Sequence, residues 1–410
     1  MLPGQRATSS PDNRPPDKVM VTTRPTITAA QRRSRLAARH RLIPGAQTDD
    51  VAAIADSVVA LHSTDPATVY LSAMARMQQP SVDAVSTALY IDRALVRHHA
   101  MRRTLWVFTP QTARWAHAAC TTAVAATEWK RLAKMVEDSD VATDGAAWAA
   151  TARADTLAAL TSMGTATARQ LGKAVPALAE KLHLAVGKSY TASQGAHTRL
   201  LLNLGFDGAI VRGRPGGSWT NSEYTWSVAD QWLPGGIAGA EHETAAADLA
   251  RCYLARFGPA TTADLQWWAG WTTGLTRRAL TAVGAVEVDL DAESGAGVGW
   301  VLPDDRAEDD DRPWIAFLPG LDPTTMGWKQ RAWYLGDLAT FGGPVFDRNG
   351  NAGPTIWVDG QVVGGWAQRK SGEVVYQLLT EVPKARAKTI ATEAERLREL
   401  IGEARVSVRF

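Results

Sequence analysis

The sequence predicts an α+β chain: helix-turn-helix units in tandem, followed by a small β-domain. Three observations carry this. The phrase Gly164-Thr-Ala166-Thr167-Ala-Arg169-Gln-Leu171 is echoed by Gly258-Pro-Ala260-Thr261-Thr-Ala-Asp264-Leu265. Each copy follows an apolar helical stretch and reads as helix, tight turn at Gly, Thr as N-cap, second helix. Each is followed by short strands around a Gly-rich turn, as a wing follows the helices of a winged helix. From Pro313 the grammar changes to short β-runs separated by Gly turns.

In chain order, residues 1–24 are rich in Pro, Ser, Arg and Asp and read as a disordered leader. Thr28 caps a basic helix through Arg41, with Gln31 placed to complete a capping box. Apolar periodicity predicts helices over 48–62 and 66–77, continued by Ser81–Leu89 and Ile91–Ala100. The β-branched and aromatic run from Arg103 to Phe108 reads as a strand. Two helices follow, from about 110 to 160. After the first repeated phrase come Val186–Tyr190, a helix through Leu204, and a wing from Gly205 to Thr220. After the second, Val286–Leu290 and Gly299–Leu302 read as wing strands. Ile315–Pro323, Pro354–Trp366 with its Asp359-Gly360 hairpin turn, and Gly372–Leu378 form a closed β-domain. A helix over 384–402 and a strand Val406–Phe410 end the chain. The expected boundaries are a leader 1–24, a first winged-helix-like domain 25–149, winged-helix domains 150–242 and 243–312, and the β-domain 313–410.

Hydrophobic and charged contents of 45% and 21% are those of a globular chain. No apolar run approaches the ~20 residues of a membrane span. Two lone cysteines, Cys120 and Cys252, fit a reducing cytoplasm rather than a disulfide scaffold. There is no CxxC, HExxH or phosphate loop, so no metal and no cofactor is expected. Net charge is only +2, but Arg and Lys concentrate in residues 1–45 and 92–134. Such patches fit either a DNA-binding face or solvated helix surfaces.

The segment Leu61-His62-Ser63-Thr64-Asp65-Pro66 interrupts two apolar stretches with four polar residues. It reads as a capping turn, with Thr64 or Asp65 as N-cap and Pro66 at the first helical position. The turn's geometry asks nothing of His62, which is free to hold a water.

With its neighbours this segment resembles the AlkZ/YcaQ family of winged-helix bacterial DNA glycosylases. The matching residues include Leu61–Pro66 with Val69–Arg76, Leu95–Leu105, and Tyr253–Thr261 with Asp264 and Trp268. They continue in Leu318–Pro323, Arg331, Phe346–Asn351 and Pro354–Trp366. The resemblance implies tandem winged helices and a C-terminal β-barrel in a C-shaped arrangement around double-stranded DNA. It implies excision of alkylated purines; members protect against N7-alkylating natural products, and some unhook crosslinks. It places the catalytic pair, Gln-x-Gln or Gln-x-Asp in the family, at His62-Ser63-Thr64. A monomer acting on alkylated DNA is expected, with His62, Thr64 and Asp65 as catalytic residues. DNA contacts are expected from Arg76, Arg102, Arg103, Trp328, Lys329 and Arg331. Arg102 and Arg103 read equally well as strand-flanking charges, and Asp322 reads as a turn residue rather than a carboxylate catalyst. The missing Gln pair also leaves a non-catalytic DNA-binding protein as an alternative.

Overall fold

The computed structural model describes residues 24–184, 192–305, 312–339 and 343–406. The expectations for a leader over 1–23, for Val186–Tyr190 and for a strand over 407–410 lie outside the described residues.

Within them the chain is mixed α+β, and one local topology occurs three times. In the second and third instances it is the one anticipated from the repeated phrase. Helix Gly145–Met163 stops at Gly164, whose φ of +69° a side chain would strain. The two-residue strand Ala166–Thr167 follows, and Thr167 caps helix Ala168–Ala174 in a reciprocal box with Gln170. Helix Ala196–Phe206 then leads into strands Ile210–Pro215 and Tyr224–Val228, and the short strand pairs antiparallel with the last of these. The third instance repeats this. It runs from helix His242–Phe257 through Thr261, the boxed cap of helix Thr262–Ala269, and helix Thr273–Ala282 to strands Val286–Leu290 and Gly297–Val301. Ala260 bridges Trp300 in the place of the short strand.

The first instance was not legible as a copy. Helix Val51–Ser57, strand Leu61–His62, helices Pro66–Met74 and Val82–Tyr90, and strands Val96–His99 and Leu105–Phe108 follow the same order. The short strand again pairs with the last one. Two expectations are corrected here. The helix anticipated over 48–62 is shorter, because Val59 takes a left-handed conformation at φ +64° and the chain then enters the sheet. Ile91–Ala100 is not helical; its second half pairs with Leu105–Phe108.

The capping box of Thr28 and Gln31 forms as anticipated and starts helix Ala29–Arg39. The C-terminal part has a four-stranded antiparallel sheet in order Ile315–Leu318, Thr355–Val358, Gln361–Gln368, Val374–Leu378. Its outer strands do not meet, so the expected closed barrel is absent among the described residues. Four strands are too few to curl to closure, and helix Lys384–Ile401 packs on both outer strands instead. A buried aromatic series, including Tyr253, Phe257, Trp268, Trp328, Trp333, Tyr334 and Trp357, joins the third unit to this sheet.

Candidate active site

The turn after strand Leu61–His62 differs from its two counterparts in length. In the second and third units the threonine cap comes at once after the first paired residue, Ala166 or Ala260. In the first, Ser63 and Thr64 stand between the strand and the cap, Asp65. Asp65 Oδ1 accepts the Ala67 N–H at 2.9 Å and Pro66 opens the helix. Both duties are those of the bland capping reading. The Asp65 carboxylate makes no other hydrogen bond among the described residues.

His62 is buried, with its ring edge against Trp106 at a centroid distance of 4.6 Å. Its Nδ1 accepts the Thr64 N–H at 3.4 Å. That bond assigns the ring proton to Nε2. Burial, with the Arg102 guanidinium nearby, pushes the imidazole down to about 3, so it is neutral near pH 7. Burial raises the Asp65 carboxyl above its ordinary value, opposed by the Ala67 N–H.

His62, Thr64, Asp65 and Thr104 form one wall of a cavity of about 1130 Å³. Thr220 and Ser222, from the loop joining the second unit's last two strands, form a second side. The segments 319–321 and 343–354, with Trp366, form the third, which mixes apolar residues such as Pro319, Leu321, Val345 and Phe346 with Asp347, Arg348 and Asn351.

A larger groove of about 1400 Å³ adjoins it, and Ser222 lines both. This groove lies between the first and second units. It carries Arg93, Arg169, Arg212 and Arg214 against one carboxylate, Glu223, and its aromatic residues are Tyr90, Tyr224, Trp226 and Trp232. The first repeated phrase, Gly164 to Gln170, forms part of its wall. Of these arginines, Arg93 falls in the basic stretch 92–134 and Arg169 in the first repeated phrase. Arg212 and Arg214 were passed over inside the wing. Their alternation on one strand, two residues apart, was the available signal.

The expected DNA contacts divide. Arg76 is fully buried and makes a two-pronged ion pair with Asp322, with further bonds to the Ser72 carbonyl and Thr324 Oγ1. It cannot meet a phosphate, and Asp322 is indeed a turn residue, capping Thr324. Trp328 is buried and donates its indole N–H to the Phe257 carbonyl. Arg331 is buried, donates to the carbonyls of Trp328 and Gly350, and stacks on Phe346. These three expectations are corrected: each side chain is spent inside the fold. Arg102, Arg103 and Lys329 reach solvent. Arg102 and Arg103 both have left-handed backbones, at φ +54° and +62°, and turn the hairpin between the first unit's last strands. Arg102 lies 4.1 Å over Trp267, and Arg103 is 3.4 Å from Glu128. Lys329 is exposed.

Among the described residues, no cluster of three or more His, Cys, Asp or Glu is placed to hold a metal ion. No described helix is long and apolar enough to cross a membrane.

Comparison with known proteins adds a family. The family model described as DNA glycosylase AlkZ-like matches residues 55–400. Among solved structures, the fold is similar to that of a Streptomyces sahachiroi DNA glycosylase AlkZ, with a TM-score of 0.68 and 19% identity. The match covers 94% of this chain and 99% of that one. No curated protein matches the chain.

Proposed function

The chain belongs to the AlkZ-like DNA glycosylase family, and from that premise we propose that it hydrolyses the N-glycosidic bond of bulky N7-alkylated purines. It releases the base and leaves an abasic site. The observation that carries this reading is the pairing, on one cavity wall, of a neutral imidazole with a carboxylate that has an oxygen to spare.

An N7-alkylguanine is cationic, so its base leaves without being protonated. The work left is to hold a water against the sugar and to stabilise an oxocarbenium-like transition state. With its proton on Nε2, His62 donates to the water oxygen and orients it rather than deprotonating it. Asp65 is the group able to take the water's proton and to set negative charge near the sugar. Thr64, exposed at the cavity rim, offers a hydroxyl to the same water or to the sugar-phosphate. At about 1130 Å³ the cavity exceeds the roughly 300–1,000 Å³ used for drug-sized ligands, and its size suits a bulky adduct.

In this reading the three repeated units are winged-helix modules, spanning about 25–149, 150–242 and 243–312 ahead of the C-terminal domain 313–410. They form a C-shaped holder, and the basic groove carries the DNA backbone, with Arg102, Arg103 and Lys329 meeting phosphates outside it. A single copy, in the cytoplasm, supplies the contacts. The second reading, a non-catalytic DNA-binding protein, is favoured by one observation. His62 and Thr64 stand where the family's Gln-containing pair is expected.

Incubating the protein with duplex carrying a bulky N7-alkylguanine, then cleaving at abasic sites with alkali, decides between them. Strand scission supports the glycosylase. Tight binding with no scission for any adduct supports the binding protein.

A further inference from the structure

Arg97 lies at the centre of strand Val96–His99, is 3% exposed, and has no ion pair among the described residues. Its strand pairs with Leu105–Phe108, which pairs in turn with Leu61–His62. Arg97 and Leu61 both register with Val107, so they share a sheet face, and Ser63, two residues on, continues that face. Arg97 Nε donates across it to Ser63 Oγ at 3.0 Å. Nη1 donates to the Tyr90 hydroxyl. The guanidinium carbon lies 5.4 Å from the Tyr90 ring centre and 4.9 Å from that of Tyr224. Nη2 is buried with no partner.

A buried cation with no anion is a poor structural filler, because a packed apolar side chain of the same volume avoids the desolvation. Two aromatic faces and two hydroxyls are what keep the charge there. What the charge holds is informative. Ser63 is the residue between His62 and Thr64. Its N–H is fixed by the Leu105 carbonyl at 2.8 Å and its hydroxyl by Arg97. Both anchoring tyrosines line the basic groove.

We propose that Arg97 is a positioning residue: through Ser63 it fixes the lengthened turn so that His62 and Thr64 present their polar groups to the cavity. The inference rests on the glycosylase reading for its kinetic consequence, but not for its structural one. Loss of the anchor leaves Ser63 free to rotate, loosens the Thr64 N–H to His62 Nδ1 bond, and blurs the ring's orientation. It does not remove a group from the DNA-facing surface.

The test combines Ser63→Ala, Arg97→Met, Arg97→Lys and the Ser63→Ala/Arg97→Met double variant. Single-turnover excision at saturating protein is expected to fall on the order of tenfold in Ser63→Ala and Arg97→Met. Affinity for undamaged duplex should be unchanged. The double variant should be no slower than Arg97→Met, as for two members of one linkage, and Arg97→Lys should recover part of the rate. Separately, the ¹⁵N signals of the His62 ring, read by NMR, should shift toward a mixture of tautomers in Ser63→Ala. Wild-type rate and unshifted ring signals in Ser63→Ala would overturn the proposal, as would rate losses that add in the double variant. The ring signals need no substrate. If the wild-type protein excises nothing, the glycosylase reading fails and the ring signals still decide the role of Arg97.

Discussion

Arg76 and Asp322 meet in a two-pronged ion pair that solvent does not reach, with Nη2–Oδ1 at 2.8 Å and Nη1–Oδ2 at 3.0 Å. The pair bolts the end of the helix that starts at the candidate turn to the loop opposite it across the cavity. Ser72 Oγ adds a 2.6 Å bond to the same carboxylate. Burial alone would raise the Asp322 carboxyl; Arg76, Ser72 and the Thr324 N–H outweigh it and hold it below its ordinary value. Removing one partner strands the other, at a cost of about 3–5 kcal/mol. Arg76→Ala should therefore lose about that much stability in urea denaturation. The salt dependence of DNA binding should stay as in wild type for the folded protein, because Arg76 touches no surface.

Replacing His62 should separate water placement from folding. His62→Ala is expected to slow single-turnover excision by roughly 10²-fold, measured at saturating protein. His62→Gln, which restores a neutral donor, should keep much of the rate. A His62→Ala protein as fast as wild type would end the role assigned to the imidazole.

The pH profile follows from the downward shift of that ring. With a folded value of about 3, His62 does not change charge between pH 5.5 and 8.5. The rate should show no inflection near the ordinary histidine value of about 6.5. An inflection there that disappears in His62→Gln would show the ring to titrate and would sink the neutral-donor mechanism.

Stability, unlike rate, should be acid-sensitive. His40, His62, His98, His99 and His117 are all pushed down, first of all by burial. Their folded values lie below the unfolded one, so the unfolded chain binds more protons in acid. Stability is fully present above about pH 6.5 and is lost as the pH falls toward 3, by up to about 1.4 kcal/mol per pH unit for each ring. Denaturant melts at pH 7.5, 6 and 5 should show a steepening decline; a flat series would contradict the burial of these rings.

The basic groove makes a prediction for binding alone. Arg169 and Arg214 are exposed and line it. Arg169→Gln and Arg214→Gln should each weaken binding to undamaged duplex and lower the salt slope by about one. Fluorescence anisotropy over a salt series reads both. Unchanged slopes would take the DNA out of this groove.

What the sequence made legible was local. The box of Thr28 with Gln31 and the threonine N-caps at Thr167 and Thr261 depend on residues only three positions away, and all form. The polar turn at 62–65 was visible for the same reason. Long-range pairing was not. Leu61–His62 is a strand because Leu105–Phe108 lies beside it, and an apolar run gives no sign of that. Arg76 looked like a surface cation because its partner is 246 residues away. Trp328 and Arg331, flanking an exposed lysine, looked like a cleft edge, yet each faces inward onto carbonyls. The groove arginines come from separate elements, and only folding collects them.

The lengthened turn before Asp65 shows how such a scaffold can acquire chemistry. Each repeated unit closes its hairpin onto its own short strand, so residues added to one turn leave the other two ladders in register. The two extra residues do not disturb the cap, which stays at the helix start; Ser63 prolongs the ladder inward and Thr64 faces the open side. A change in loop length, rather than a rearranged core, is then enough to set the first copy's turn apart from those of its two structural siblings. The first unit can thus carry a polar residue at the mouth of the cavity while the other two keep a bare threonine cap.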